Sequence, residues 1–155
     1  MKGKTKILDT LNLLLADELT AINQYIVQSE MCANWGYDRL HDAAEKRAID
    51  EMKHAEKLIA RLLFLEGRPI VSTLNKIHVG DTIEVQHKND VEAEMGAIKA
   101  YNEAIKMAVD LGDNGTRELL EAILKDEEDH LDWLEAKLDQ IAQLGIQAYL
   151  AEQLH

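Results

Sequence analysis

Apolar residues recur every three or four positions along four long stretches of the chain, the spacing that gathers them on one face of an α-helix. Leu11, Leu14, Leu15, Ile22 and Tyr25 mark the first stretch, from about Thr5 to Asn34. The second runs from about Asp38 to Glu66, and the third from about Thr82 to Leu111 with Val91, Ile98, Tyr101 and Ile105. The fourth runs from about Thr116 to Leu144 and carries Leu120, Ile123, Leu124, Leu131, Leu134, Leu138 and Ile141. Breaks fall at Trp35-Gly36-Tyr37, at Gly67-Arg68-Pro69 and at Gly112-Asp113-Asn114-Gly115, where glycine is the expected helix stop. Asp81-x-x-Glu84 reads as a capping box opening the third helix. After Gly145, Ile146 to Gln153 form a short fifth helix. The pattern predicts an all-α fold, a four-helix bundle with a C-terminal fifth helix, in a single domain over residues 1–155.

The segment from Pro69 to Asp81 has β-branched residues and no helical period. At about 16 residues it is long for a connection between antiparallel neighbours. A parallel arrangement of helices two and three requires a return of ~39 Å along the bundle. Extended chain of that length reaches ~53 Å. The expectation is therefore a long crossover between helices two and three.

Glutamates interrupt the apolar stripes at Glu18, Glu51, Glu94 and Glu127, and an unpaired buried charge costs several kcal/mol. That cost predicts a partner. Glu18 to Glu51 and Glu94 to Glu127 are both 33 residues apart (51 − 18, 127 − 94). His54 and His130 each lie three positions after the second glutamate. The second set is the first moved by 76 positions (94 − 18, 130 − 54), and ELTAINQY from Glu18 aligns with EMGAIKAY from Glu94. DEMKHAEKL aligns likewise with DEEDHLDWL. Each turn lies midway between its paired residues, so a duplicated helical hairpin brings both sets to one level. Positions i and i+3 share a helix face, so each Glu-x-x-His offers both side chains to the same space. His87 and His155 also follow a glutamate by three, but Glu84 belongs to a helix start and Glu152 to the C-terminal end.

Two glutamates from two helices plus Glu-x-x-His from each of two others is the pattern of di-iron and di-manganese carboxylate bundles. Four carboxylates and two divalent cations cancel in charge, with neutral histidines adding none. Oxygen and imidazole donors without thiolate suit iron or manganese. The predicted metal ligands, and with them the catalytic residues, are Glu18, Glu51, His54, Glu94, Glu127 and His130.

The net charge of −12 argues against nucleic-acid binding and favours cations as cargo or substrate. No 18-residue apolar run predicts a membrane span, and Asp9 and Asn12 interrupt any signal-peptide core. A lone Cys32 permits no internal disulfide and fits a reducing, cytoplasmic setting.

AINQY after Glu18, IDEMKHAEKL from Ile49, LFLEG from Leu63 and DEEDHLDWLE from Asp126 make the chain resemble the bacterioferritins along its whole length. The resemblance implies a ferritin-like fold, ferroxidase activity on Fe2+ with O2 or H2O2, and storage of ferric mineral. It implies a homo-oligomeric cage of 24 subunits built from two-fold dimers, with a ferredoxin partner for iron release. Two Fe per subunit are implied, with Glu51 and Glu127 bridging them. Glu18 with His54, and Glu94 with His130, would complete one position each. Tyr25 and Trp133 match aromatics near that centre, and Tyr25 is either an electron donor or core packing.

Met52 follows Glu51 and so points ~100° away from it, out of the bundle. Ala48, Ile49, Ala55 and Ile59 are expected on the same outward face, an apolar stripe that reads as a subunit interface. The resemblance implies haem b across a two-fold axis there, shared between two subunits, with Met52 as axial ligand. In one departure, Lys46 stands where the family often has an inner-surface histidine, while Asp50 remains.

Alternatives are a rubrerythrin-like peroxidase, a di-manganese catalase, and a haem-carrying or structural subunit whose metal site is unused. A DNA-protecting mini-ferritin fits less well, because its site spans two subunits. A rubrerythrin-like tail would need Cys-x-x-Cys pairs, which one cysteine cannot make.

Overall fold

The computed structural model describes residues 1–155. Five helices follow one another: α1 (Thr5–Trp35), α2 (Asp38–Phe64), α3 (Ile83–Asp110), α4 (Asn114–Leu144) and α5 (Ile146–Ala151). α1 packs chiefly on α2 and α3 on α4, so the bundle is a pair of helical hairpins, all-α as expected.

The first three helices share one stop geometry. At the end of α1, Tyr37 N–H donates to Cys32 O (2.9 Å) and Gly36 N–H to Ala33 O (3.0 Å). At the end of α3, Asp113 N–H donates to Ala108 O (2.8 Å) and Gly112 N–H to Val109 O (3.0 Å). These paired bonds satisfy carbonyls that the helix leaves free, and they need a left-handed residue, here Gly36 (φ 82°) and Gly112 (φ 72°). α2 ends the same way with Glu66 (φ 60°), not Gly67, in the left-handed position. Gly67, one step later, packs close to Leu8: a Cβ there would sit 2.6 Å from Leu8 Cδ2, so that side-chain end would have to shift.

Two helix starts differ from the sequence expectation. α3 is capped by the Thr82 side chain, which accepts from Val85 N–H (3.3 Å), rather than by Asp81. α4 begins at Asn114, two residues earlier than expected. Asp113 caps it by accepting from Thr116 N–H (3.0 Å), and it also takes a bond from Arg61 of α2 (2.8 Å).

The crossover is present and runs along α1. Ile70 N–H donates to Asn12 Oδ1 (2.9 Å), Asn75 N–H to Thr20 Oγ1 (2.8 Å) and His78 N–H to Gln24 Oε1 (3.3 Å). Rising numbers on the crossover meet rising numbers on α1, so the chain returns the length of the bundle. α3 then descends beside α1, with Gln24 bonded to Asp90, Tyr25 to Glu94 and Tyr101 to Glu18. α2 and α3 are therefore parallel, the arrangement that demands a long return.

Two apolar clusters flank a polar middle. One holds Leu11, Leu15, Leu58, Leu62, Leu120 and Ile123, all fully buried. The other, at the opposite end, gathers Cys32, Leu40, Ile83, Ile141 and Tyr149, the last brought in by α5. Between them lie the buried polar side chains of the bundle's waist.

Gly36→Ala should lower stability by about 1 kcal/mol, because space is free around its Cβ and only the left-handed backbone resists. Chemical denaturation monitored by circular dichroism measures this directly.

Candidate metal centre

Glu18 reaches the waist from α1, Glu51 and His54 from α2, Glu94 from α3, and Glu127 and His130 from α4. None is more than 7% exposed. Glu18, Glu51, His54 and Glu127 place one ligand-capable atom each within 4.8 Å of one another, and so do Glu51, Glu94, Glu127 and His130. Glu51 and Glu127 belong to both groups. The geometry is thus two adjacent positions sharing two carboxylates, with one further carboxylate and one imidazole at each.

The surrounding contacts cross between the two hairpins. Tyr101 donates to Glu18 Oε1 (2.6 Å), while Tyr25, seven residues after Glu18, donates to Glu94 Oε1 (2.8 Å). His54 turns Nε2 toward Asp126 Oδ2 (2.9 Å), and His130 turns Nε2 toward Asp50 Oδ2 (3.5 Å). Each aspartate precedes the glutamate of one hairpin and steadies the histidine of the other. Both imidazoles are thereby aimed with Nδ1 inward, the arrangement in which an outer carboxylate orients a metal-binding histidine.

A metal pair fits this donor set on the structure's own terms. Glu18 Oε2, Glu51 Oε1, His54 Nδ1, Glu94 Oε2, Glu127 Oε1 and His130 Nδ1 are buried without a hydrogen-bond partner. Elsewhere in the chain only Gln28 Oε1 shares that condition. His54 Nδ1 comes within 3.0 Å of Glu127 Oε1 but without the alignment of a hydrogen bond. Each unpartnered buried group costs about 1–3 kcal/mol, so six at one point call for cations.

Protons take up part of this burden. Burial, reinforced by the Glu51 charge, holds the Glu18 carboxyl well above its usual range. Burial and the neighbouring Glu127 do the same to Glu94. Glu51 is held low despite burial, because Glu18 and the two histidines crowd against its carboxylate and favour its ionised form. Burial disfavours charge on His54 and His130, but the facing carboxylates outweigh it and raise both.

A cavity of about 420 Å³ opens onto the centre between α1, α3 and the crossover. Glu18, Glu51, Glu94 and Glu127 line its inner part, and the exposed Asn75, Lys76, His78 and Glu92 stand toward solvent.

Other expected positions are now placed. His87 lies outside the centre, bonded to the Tyr149 hydroxyl (2.9 Å). Met52 is 44% exposed and Ile49 42%, as an outward stripe requires. Ala48 and Ala55 instead turn inward and are buried, because they sit at the border between the outward face and the core. Lys46 is exposed, and Asp50 faces His130. Tyr101, Asp126 and Arg47 contact the centre's residues although sequence reasoning gave them no role. The duplication carried the signal for Tyr101, which repeats Tyr25, and for Asp126, which repeats Asp50.

Divalent cations compete with protons at Glu18, Glu94 and the histidines, whose proton affinity is raised. Affinity should therefore rise with pH. Co2+ binding to the apo protein near neutral pH should release more than one proton per subunit, measured by calorimetry in buffers of different ionisation enthalpy.

Comparisons with known proteins agree with the fold. Residues 8–144 match the ferritin family, described as a ferritin-like domain. A bacterioferritin of Mycobacterium leprae is 38% identical over 152 residues, covering 98% of this chain and 96% of its own. Bacterioferritins of Brucella melitensis and Rhodobacter capsulatus are 37% and 36% identical over 149 residues, covering 96% of this chain and 92% of each relative. With this coverage and the two-position carboxylate–histidine cluster at its waist, the chain belongs to the bacterioferritin family of ferritin-like proteins.

Proposed function

We propose that this protein oxidises Fe2+ at the waist of its bundle and stores the ferric product in a homo-oligomeric shell. The observation that carries the reading is the convergence of six buried, unpartnered donor atoms from four helices. Glu51 and Glu127 bridge two iron positions, Glu18 and His54 complete one, and Glu94 and His130 complete the other. Iron is here the substrate. Two ferrous ions held side by side can each give one electron to the same O2 or H2O2 molecule.

The chain's own residues prepare that event. Tyr101 and Tyr25 each occupy one oxygen of Glu18 and Glu94, leaving the other oxygen free to bind. Asp126 and Asp50 fix the imidazoles. The cavity beside the crossover admits ions past Asp17 and Glu92, and the net charge of −12 favours their approach. On this reading Tyr25, buried and bonded to Glu94, supplies a further electron to the centre.

Exposed Leu13, Ile26, Val27, Ile49, Met52 and Phe64 support burial against further copies of the chain. We assign the shell 24 subunits built from two-fold dimers; exposed Met52 would hold a haem b shared across a dimer, and that group would carry electrons. A cytoplasmic site of action, with a ferredoxin-class donor for iron release, fits this assignment. No helix is long and apolar enough to cross a membrane.

Changing an outer partner of a metal ligand commonly costs 10–100-fold, so removing a ligand should cost at least that. Glu18→Ala and His130→Ala proteins mixed with Fe2+ in air should form ferric product at least about tenfold more slowly than wild type. Wild-type rates in both would exclude this centre. Haem-reconstituted Met52→Leu should lose the Soret band of the methionine-ligated form, and an unchanged spectrum would remove Met52 from that role.

A further inference from the structure

The duplication predicts two equivalent metal positions, but the structure makes them unequal. Arg47 of α2 brings its guanidinium within 3.9 Å of Glu94 Oε1. No other Lys or Arg forms an ion pair with any of the six candidate ligands. The side chain is only 13% exposed and lies 5.8 Å from the ring centroids of both Tyr25 and Trp133. Two aromatic faces therefore hold the cation in place, and little water screens it.

Arg47 precedes Glu51 by four residues. The matching position before Glu127 is Ile123, which is fully buried in the apolar cluster. The Glu94/His130 side thus has a fixed positive charge and the Glu18/His54 side has none. The histidine braces differ in the same sense, 2.9 Å for His54–Asp126 against 3.5 Å for His130–Asp50. Asp90 lines the same small cavity as Arg47 but does not claim it. Its carboxylate accepts from the Gln24 and Gln28 amides (2.8 and 2.9 Å) and forms no ion pair with the guanidinium.

We propose that Arg47 is a positioning residue that sets the order of loading. The Glu18/His54 position fills first and tightly, and the Glu94/His130 position fills second and more weakly. The inference rests on the two-metal reading above and concerns how its two halves differ. A divalent cation bound by Glu94 must share that carboxylate with a guanidinium already paired to it. The ion at Glu18 faces no such competitor. Coulomb's law at an effective dielectric of ~20 makes a gap of about tenfold or more the expected size.

Two experiments with Co2+, which is not oxidised by air under these conditions, test the proposal. First, wild-type crystals given one equivalent of Co2+ per subunit should show anomalous density mainly at the Glu18/His54 position. Equal or reversed occupancy would overturn the proposal. No cobalt at either position, even at excess, would instead overturn the two-metal reading itself. Second, calorimetric titration of the wild-type protein should resolve two steps. Arg47→Met should strengthen the second step by at least about tenfold, and the first step, farther from the guanidinium, by less. Arg47→Lys should restore the gap. A second affinity that stays at the wild-type value in a folded Arg47→Met protein would also overturn the proposal.

Discussion

Crowding of like charge in a dry place governs this structure. Glu18, Glu51, Glu94 and Glu127 are each at most 3% exposed and meet at one level. Four ionised carboxylates so placed would repel one another with little water to screen them, and desolvation alone would cost several kcal/mol per ion. The fold accepts this only with compensation. A raised proton affinity at Glu18, Glu94 and the histidines offsets part of the cost in the metal-free protein, and on the proposed reading two divalent cations would cancel the four negative charges. The apolar clusters at either end then supply the burial that keeps the waist closed.

The compensation is shared between the hairpins. Tyr25 of the first hairpin holds Glu94 of the second, and Tyr101 of the second holds Glu18 of the first. Asp50 and Asp126 make the same exchange with His130 and His54. Neither hairpin completes its own half of the centre. The crossover makes this exchange possible, because it returns the chain along α1 and starts α3 antiparallel to it. Arg47, whose duplicate position is an isoleucine, marks where the two halves have diverged.

Much of this was legible from residue spacing. The six candidate ligands could be read because a three-residue step fixes a helix face, and equal distances from a turn fix a level. Gly36 and Gly112 announced two helix ends because only a left-handed residue closes that turn. The third such turn was misplaced, since Glu66 takes the left-handed position and Gly67 answers to Leu8 instead. Thr82, not Asp81, caps α3, and Asp113 opens α4 ahead of the expected Thr116, because each accepts from a backbone N–H three residues on. Ala48 and Ala55 were assigned outward because helical angle alone does not locate the edge of the core. Arg47 was hidden because a cation in a charged helical run reads as solvated, and only the tertiary placement of Tyr25 and Trp133 encloses it. The crossing of Tyr101 and Asp126 to the opposite hairpin likewise needs three dimensions.

The central claim is that cations relieve a strain the protein otherwise carries, and thermal unfolding tests it most directly. Under nitrogen near neutral pH, the metal-free protein should melt at least about 10 °C lower than the same protein saturated with Fe2+, since two ligands bound well above their dissociation constants add several kcal/mol to the folded state. A melting temperature unchanged by saturating Fe2+ would contradict the account.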